Sequence, residues 1–262
     1  MVQNTEKYTV ITGASSGIGY ETAKAFAERG SSLILVARRK DRLETLRQEI
    51  LALHPMLDIV VKAADLSVPK NVFQLYESIK SYPLQTWVNN AGFGNYGSVG
   101  NQDLEKISRM LHLNVEALTV FSSLFVRDFK DTEGTQLINV SSCGGYTIVP
   151  NAVTYCAAKF YVSAFTEGLA WELKAAHAKM QAKVLAPAAT KTEFGKIAND
   201  VTEYDYDRLF GIYHTSTQMA AFLLELYDSD KTVGFVDRET FSFHLYEPQF
   251  QYAGSSRHNQ KM

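Results

Sequence analysis

A glycine-rich turn between an apolar run and a helical pattern constrains the fold of this chain more than any other feature. The turn follows the β-rich run YTVI and reads Thr12-Gly13-Ala14-Ser15-Ser16-Gly17-Ile18-Gly19. Glycines allow a tight turn, close approach of a ligand to the backbone and close packing of helix on strand. A helix that starts here directs its N-terminal amides and dipole at an anion. The turn therefore predicts a dinucleotide-binding strand–turn–helix unit.

Strand and helix patterns alternate along the rest of the chain. The predicted strands are near 8–12, 32–37, 58–64, 86–89, 135–141 and 182–186, and the predicted helices near 17–29, 40–53, 69–81, 103–129, 153–178 and 215–228. Such alternation indicates a parallel sheet covered by helices on both faces. We expect an α/β fold, a doubly wound, Rossmann-like parallel sheet of about seven strands in three α/β/α layers.

Length and charge limit the function classes. A chain of 262 residues is accommodated by one domain spanning 1–262, and a formal net charge of −2 gives no electrostatic basis for binding nucleic acid or a membrane surface. The start lacks a signal-peptide pattern and no run of about 18 apolar residues occurs, so we expect a cytoplasmic protein with small-molecule partners. The histidines lack metal-ligand spacing, so no metal site is expected, and Cys143 and Cys156 are interpreted as buried hydrophobes rather than a redox switch.

A basic pair follows the second predicted strand. An acidic residue there would bind the ribose hydroxyls of NAD, but the chain reads ARRK at 37–40. Because Arg38 and Arg39 can fork onto a 2′-phosphate, we predict NADP(H) as cofactor; the alternative is a solvated basic start to the next helix. Asp65 and Leu66, after the third strand, are predicted to cup the adenine, although Asp65 could instead cap the following turn.

Tyr155 and Lys159 stand four residues apart in YCAAK. A phenol serves as a proton donor near neutral pH when a neighbouring cation lowers its pKa, and a lysine one helical turn away supplies that cation. The spacing is also common by chance, and the alternative is a surface tyrosine and lysine on one helix face. Together with the nucleotide-binding turn, the pair suggests redox chemistry.

Further motifs fall in a recognisable order: TGASSGIG at 12–19, Asp65, NNAG at 89–92, Asn114 within LHLNVEA, Ser142 within NVSS, and Tyr155 with Lys159. In these motifs the chain resembles the short-chain dehydrogenase/reductase family, single-domain subgroup, over nearly all of residues 7–192. The resemblance implies a catalytic tetrad of Asn114, Ser142, Tyr155 and Lys159. Tyr155 would exchange the proton, Ser142 would hold the substrate oxygen, and a backbone kink at Asn114 would hold a water that links Lys159 to solvent. The thirteen-residue interval to Tyr155 selects Ser142 over Ser141, which would be a structural hydroxyl.

The same resemblance implies a cofactor site. Asn90, Ala91 and Gly92 would lie along the adenosine ribose, with a strand-ending turn as the alternative. After the sixth strand the family commonly has Pro-Gly, where this chain has Pro-Ala, and we expect binding to tolerate the change. The predicted cofactor-binding residues are Gly13, Ser15, Ser16, Gly17, Ile18, Gly19, Arg38, Arg39, Asp65, Leu66, Asn90, Ala91, Gly92, Tyr155, Lys159, Pro187, Thr190 and Thr192.

Segments outside these motifs complete the prediction. Residues 190–214 lose periodicity but are rich in aromatics, and we interpret them as a mobile substrate lid with short helical pieces. The tail 253–262 is predicted to be flexible. Helices 103–129 and 153–178 carry apolar residues on more than one face, which favours a homodimer or homotetramer, or a helix buried on several sides.

The sequence thus predicts an NADP(H)-dependent oxidoreductase that interconverts a carbonyl and a secondary alcohol, with Tyr155 as proton donor or acceptor. Aromatic and small side chains are the candidate walls of its substrate pocket: Phe93, Tyr96, Cys143, Tyr146, Pro150 and Phe194. The alternative is a non-catalytic NADP(H)-sensing binding protein of the same fold. A sugar-nucleotide epimerase or dehydratase is disfavoured, because the chain is too short for a second substrate lobe.

Overall fold

Strands and helices alternate through residues 7–255, which are the residues that this computed structural model describes. The strands are β1 (Tyr8–Thr12), β2 (Ser32–Ala37), β3 (Ile59–Ala63), β4 (Leu84–Asn89), β5 (Gln136–Val140), β6 (Gln181–Ala186), β7 (Thr190–Lys191), β8 (His214–Thr215), β9 (Val233–Val236) and β10 (Phe243–Tyr246). The helices are α1 (Gly17–Glu28), α2 (Lys40–Leu53), α3 (Pro69–Glu77), α4 (Leu104–Leu111), α5 (Leu118–Phe129), α6 (Val153–Ala175), α7 (Phe194–Asn199), α8 (Tyr206–Phe210) and α9 (Ser216–Asp228).

The main sheet has the strand order β10-β9-β6-β5-β4-β1-β2-β3. All of its pairings are parallel except that of β10 with β9, which is antiparallel. The predicted doubly wound, Rossmann-like fold is confirmed, but the sheet contains eight strands rather than about seven. The excess comes from β10, which forms a hairpin with β9 and covers what would otherwise be the β9 edge. A separate two-stranded ribbon, β7 with β8, lies beside the main sheet.

Two hydrophobic clusters cover the two faces of the sheet. Residues of α1, α2 and α9 form one, with Phe26, Leu46 and Leu223 among its buried members. Residues of α3, α5 and α6 form the other around Trp87, which is fully buried with its ring centroid 4.9 Å from that of Phe121. Burial on both faces explains why strands such as β1 and β2 are continuous apolar runs. It also leaves the carboxyl ends of the parallel strands as the place where polar residues collect.

The predicted helix over 103–129 is interrupted in the structure. Asp103 caps α4 by accepting hydrogen bonds from the backbone N–H groups of Glu105 and Lys106, and a π-helical segment, His112–Ala117, then separates α4 from α5. A π-helical turn inserts one residue without changing the apolar pattern much, so periodicity alone predicted one continuous helix. The helix predicted over 69–81 ends earlier, at Glu77, and continues as turns.

The segment 190–214 contains α7 and α8, and its two ends are held together by the β7–β8 ribbon. Of the tail predicted to be flexible, residues 253–255 are exposed and 256–262 lie outside the described residues. Within residues 7–255, none of the helices combines the length and apolar character that crossing a membrane requires.

Candidate active site

The β1–α1 turn needs its glycines for two reasons. Gly13 and Gly17 have φ values of 71° and 58°, in the left-handed region that side chains disfavour. A Cβ on Gly19 would lie 2.6 Å from the carbonyl oxygen of Gly13, and one on Gly13 would lie 2.9 Å from the Cα of Ala91. The turn therefore packs backbone against backbone at the end of β4, leaving its amides beside the start of α1.

Thr12 joins this turn to the segment that follows β4. Its Oγ1 accepts hydrogen bonds of 3.0 Å from the backbone N–H groups of both Asn90 and Ala91, and Asn90 Nδ2 donates to the carbonyl of Thr12 at 2.9 Å. Thr12 belongs to the motif, but no role was predicted for it. These bonds fix the floor of a cleft that runs along the carboxyl ends of the strands.

The predicted basic pair divides into two different environments. Arg38 is exposed at the cleft wall, whereas Arg39 folds back over the glycine-rich turn. Arg39 Nη2 donates to Ser15 Oγ at 3.2 Å and Ser16 Oγ at 2.9 Å, and it lies 2.8 Å from a carboxylate oxygen of Glu193. The two arginines place two guanidinium groups at this end of the cleft, and the Glu193 carboxylate offsets the charge of Arg39.

Asp65 and Leu66 both line the cleft after β3. Asp65 Oδ1 accepts hydrogen bonds from the backbone N–H of Ser67 at 3.0 Å and from its hydroxyl at 2.7 Å. The carboxylate therefore caps the following turn, the alternative that the sequence left open. Asp65 and Leu66 also form part of one wall of the cleft.

Tyr155 and Lys159 are both buried on the side of α6 that faces the cleft, so the surface alternative is wrong. Lys159 Nζ donates to the carbonyl of Val140 at 2.8 Å and lies 5.9 Å from the centre of the Tyr155 ring. Burial lowers the pKa of Lys159 to about 8. The pair thus lies inside the cleft, next to the end of β5, rather than in contact with bulk solvent.

Burial, followed by the nearby phenol of Tyr96, raises the pKa of Tyr155 well above its ordinary value, while a hydrogen bond with Ser142 acts in the opposite direction. The sequence predicted a lowered pKa because of the neighbouring cation. In the protein chain alone desolvation outweighs that cation, so the phenol is protonated at neutral pH. A protonated phenol is the form that a proton donor requires.

Ser141 and Ser142 point in different directions. The Ser141 hydroxyl is buried and donates to the carbonyl of Lys159 at 2.9 Å, with the Ser163 hydroxyl 2.7 Å away. Ser142 lines the cleft, and its Oγ accepts a hydrogen bond of 3.1 Å from the backbone N–H of Gly144. Ser141 is thus tied to α6 inside the protein, whereas Ser142 lies in the cleft beside Tyr155.

Gly145 was not predicted as a site residue, yet it allows the Ser142 turn to rest on α6. A Cβ there would lie 2.4 Å from Ser141 Oγ and 2.6 Å from the Lys159 carbonyl oxygen. No side chain fits into that space. Its signal in the sequence is the pair of glycines that follows Cys143, which marks a tight turn.

Asn114 lies in the π-helical segment, so the predicted backbone kink coincides with a real break in the helix. Its side chain is buried, accepts a hydrogen bond of 3.2 Å from the backbone N–H of Phe93 and donates one of 2.9 Å to the Phe93 carbonyl. Asn114 and Gly19 do not line the cleft, whereas every other predicted catalytic or cofactor-binding residue does. The cleft has a volume of about 430 Å³.

Aromatic rings surround the Tyr155 phenol. The ring centroid of Phe194 lies 5.3 Å from that of Tyr155, and the Tyr96 centroid lies 6.0 Å from it. Of the candidate wall residues, Phe93, Tyr96, Cys143 and Phe194 line the cleft, and lid side chains join them: Ile197, Tyr204, Tyr206 and Phe210. This half of the cleft is therefore largely apolar around one polar centre.

Tyr146 and Pro150 were also predicted as walls, and they are absent from the residues that line the cleft. Tyr146 turns the other way because its hydroxyl donates to the buried carboxylate of Glu167 at 2.6 Å and its ring stacks on Phe250. Pro150 is exposed.

Burial raises the pKa of the Cys143 thiol, as expected of a packed cysteine rather than a reactive one.

Residues 190–214, the segment predicted to be a lid, make several contacts with the rest of the structure and with one another. Lys106 is buried, and its Nζ donates to the carbonyl of Ile197 at 2.8 Å and to the carboxylate of Asp200 at 2.7 Å, at the C-terminal end of α7. A Cβ on Gly195 would lie 2.4 Å from the Tyr204 ring. Pro187, Thr190 and Thr192 line the cleft where the lid begins.

Two further cleft residues, Arg238 and Phe241, come from a part of the chain to which the sequence assigned no function. They lie in the turn between β9 and β10. A hairpin signal was present, since apolar runs at 233–236 and 243–246 flank the polar stretch DRET. Across residues 7–255, no cluster of histidine, cysteine, aspartate or glutamate side chains is suited to hold a metal ion.

Comparison with known proteins gives a consistent result. The profile of the family described as short chain dehydrogenase matches residues 7–202. An uncharacterized oxidoreductase of Staphylococcus saprophyticus is 30% identical over 208 residues, which cover 78% of this chain and 83% of that protein.

Solved structures also resemble this fold. A short-chain dehydrogenase from Sphingobium yanoikuyae in complex with NADPH superposes with a TM-score of 0.80 at 28% identity, covering 87% of this chain and 86% of its own. A bulky-bulky ketone specific alcohol dehydrogenase from Comamonas testosteroni superposes with a TM-score of 0.74 at 26% identity, covering 86% and 84% respectively.

Proposed function

Since the chain belongs to the short-chain dehydrogenase family, we propose that this oxidoreductase uses NADP(H) to interconvert a carbonyl and a secondary alcohol, with Tyr155 as the proton donor or acceptor. One observation carries the proposal. Ser142, which follows β5, and Tyr155 and Lys159, which lie in α6, meet in the same cleft as the glycine-rich turn and the two arginines. A nucleotide site and a proton donor that share one cavity are suited to redox chemistry on a bound carbonyl.

The residues that line the cleft fit a dinucleotide cofactor with a 2′-phosphate, such as NADPH. The glycine-rich turn lines the cleft with Gly13 and Gly17, which leave its backbone open to a ligand, and the start of α1 offers N–H groups to the diphosphate. Arg38, Asp65 and Leu66 line the same end of the cleft, where Arg38 would bind a 2′-phosphate and Asp65 and Leu66 would flank the adenine. Thr190 and Thr192 would bond the nicotinamide half. Bound there, NADPH would supply the hydride.

The chain's own groups handle the proton. The neutral Tyr155 phenol donates to the substrate oxygen, and the Ser142 hydroxyl holds that oxygen in place while negative charge develops on it. The Lys159 ammonium stabilises the phenolate that remains. Asn114, in the π-helical break, would connect Lys159 to solvent through water.

The substrate half of the cleft supports a bulky, mainly apolar compound. Aromatic rings of Tyr96, Phe194 and the lid make up much of its walls, and the similar Comamonas structure is that of a bulky-bulky ketone specific alcohol dehydrogenase. We therefore assign the lid to substrate recognition.

Exposed apolar residues on α4 and α6, among them Leu104 and Tyr161, support the expected homodimer or homotetramer.

The test compares Tyr155→Phe with Tyr161→Phe, an exposed tyrosine of the same helix, for NADPH oxidation with a panel of ketones and aldehydes. We expect Tyr155→Phe to lower kcat/KM by about 10² to 10⁴, because the proton donor is lost. Tyr161→Phe should retain full activity. Saturable NADPH binding without turnover of any substrate by the parent protein would favour the non-catalytic sensor instead.

A further inference from the structure

We propose that Arg238, in the turn of the β9–β10 hairpin, binds an anionic group of the substrate. The favoured substrates are then apolar ketones or secondary alcohols that carry a carboxylate at a distance from the reacting carbon. This inference rests on the proposed function, because it names the substrate class of the same cleft.

The sheet topology brings Arg238 to the substrate half of the cleft. β9 pairs with β6 in parallel, with Phe235 opposite Ala186, so the residues after β9 lie beside Pro187. The Pro187 carbonyl accepts a hydrogen bond of 2.8 Å from the backbone N–H of Cys143, the neighbour of Ser142. The guanidinium is close enough to Cys143 to work against the rise that burial produces in the pKa of that thiol. Arg238 therefore stands beside the Ser142 turn.

The hairpin turn holds a defined conformation. Asp237 Oδ1 accepts hydrogen bonds from the backbone N–H groups of Glu239 at 2.8 Å and Thr240 at 2.7 Å, and the Asp237 carbonyl accepts one of 3.0 Å from the N–H of Phe241. Phe241 has a φ of 58°, a strained value for a non-glycine residue, and its ring centroid lies 6.0 Å from that of His214. Contacts on both sides of Arg238 thus fix the turn that presents it to the cleft.

Charge in the cleft is distributed unevenly. Its lining includes two carboxylates, Asp65 and Glu193, and both are in the nucleotide half: Asp65 follows β3, and Glu193 pairs with Arg39. Within residues 7–255, Arg238 has no ion-pair partner, and its neighbour Glu239 is not among the cleft-lining residues. The substrate half therefore combines aromatic walls with an uncompensated guanidinium, which suits an apolar molecule with a carboxylate.

The test uses aryl keto acids in which one to five methylenes separate the ketone from the carboxylate, each with its methyl ester as a neutral match. We expect the parent protein to prefer the acid of suitable length over its ester by about tenfold in kcat/KM, since the charge pair is partly solvated. Arg238→Gln should reduce that ratio to about one by raising KM for the acid, while ester reduction and NADPH affinity stay unchanged. Glu239→Gln is the matched control.

High salt should also shrink the acid preference of the parent protein, because it screens an exposed pair. An acid-to-ester ratio that Arg238→Gln leaves within twofold of the parent overturns the inference, as does a parent that prefers the esters throughout.

A binding measurement separates this inference from the proposed function. The keto acids are titrated calorimetrically into the NADP⁺ complexes of the parent and of Arg238→Gln. Binding that depends on Arg238, without turnover of acid or ester, supports the anion site and refutes the reductase. If the esters are turned over but the parent and Arg238→Gln bind the acids equally well, the proposed reductase activity is supported and the anion site is refuted.

Discussion

Arg39 and Glu193 meet across the nucleotide cleft, with Nη2 of the guanidinium 2.8 Å from Oε2 of the carboxylate. Arg39 follows β2 and Glu193 immediately precedes α7, so the ion pair ties the lid to the nucleotide-binding side of the sheet. The hydrogen bond and charge of Arg39 lower the pKa of Glu193, which keeps the carboxylate ionised at neutral pH. The Glu193 carboxylate therefore offsets the charge of Arg39, one of the two arginines that were predicted to bind a 2′-phosphate.

We predict that Glu193→Gln strengthens NADPH binding. The substitution removes a carboxylate that competes with phosphate for Arg39, and we expect the dissociation constant to fall by about three- to tenfold. Fluorescence titration with NADPH measures it. Glu203→Gln, at an exposed lid position, is the control and should leave affinity unchanged. Weaker binding by Glu193→Gln would mean that the carboxylate helps by orienting Arg39.

Cofactor choice should depend on Arg38. The exposed Arg38 lines the cleft without an ion-pair partner in the part of the chain that the structure describes, so we expect NADPH to bind at least about tenfold more tightly than NADH. Arg38→Asp should reverse or abolish this preference. Arg47→Asp makes the same charge change on α2, where Arg47 pairs with Glu44, and should preserve it. Equal affinities of the parent protein for both cofactors would contradict the assignment.

Reduction should lose rate as the pH rises through about 8. Burial lowers the pKa of Lys159 from its ordinary 10.5 to about 8, so the ammonium that stabilises the phenolate is present below that pH and lost above it. The profile of kcat/KM against pH should be level near neutrality and then fall by about tenfold per pH unit. A profile that stays level up to about pH 10 would show that the Lys159 charge is not needed.

The stability of the protein should also depend on pH through Lys159, but it should rise with pH where the rate falls. Between about pH 8 and 10.5 an unfolded lysine binds a proton that the buried Lys159 does not, so the free energy of unfolding contributed by this group rises with pH. Buried Lys183, whose pKa desolvation also lowers to about 8, acts in the same direction. Urea unfolding at about pH 7.5 and 9.5, compared between the parent and Lys159→Met, isolates the contribution of Lys159. Equal pH dependence in both proteins would contradict the assigned shift.

The adjacent serines should give opposite results. Ser142→Ala removes a hydroxyl from the cleft, and we expect kcat to fall by about 10² to 10³ with little change in stability. Ser141→Ala leaves the Lys159 carbonyl without the donor at 2.9 Å, and we expect about 1 to 2 kcal/mol of lost stability with activity largely kept. Rate assays and chemical unfolding on both variants separate the two effects. Interchanged results would reassign the residues.

Lys106 should control the lid. Lys106→Met keeps the buried length of the side chain but removes the donor to the Ile197 carbonyl and the pair with Asp200. Because α7 carries Phe194 against Tyr155, we expect KM for an apolar ketone to rise by about threefold or more while NADPH affinity is kept. Lys179→Met, which breaks the exposed pair with Glu133, should change neither. An unchanged KM would mean that other contacts suffice to seat the lid.

Much of the fold was predictable, because the strands of the main sheet that are buried on both faces are long apolar runs and the motif glycines mark the turn. All six predicted strands overlap β1 to β6. The sequence missed β9 and β10, which are four residues each, and the π-helical break at Asn114. A strand of four residues is too short to show a clear hydrophobic period, so only the polar stretch between two short runs marks the β9–β10 hairpin, and one inserted residue changes the helical period very little.

Within the cleft, the motif residues were predictable and their electrostatics were not. Spacing along α6 brought Tyr155 and Lys159 to one face, but the balance between desolvation and charge at Tyr155 depends on Tyr96 and Ser142, which come from other segments. Arg238 was missed because it belongs to no motif and reaches the cleft only through the pairing of β9 with β6. Long-range neighbours of this kind require the folded chain.

Tyr155 and Lys159 lie on α6 and Ser142 follows β5, whereas the hairpin with Arg238 forms the β10 edge of the sheet. The two sets share a cavity but no backbone segment. Mutations in the hairpin turn can therefore change which substrates bind while Ser142, Tyr155 and Lys159 stay as they are. Related proteins could therefore come to differ in substrate preference through a few substitutions in this turn, each step keeping the residues that the proposed reaction needs.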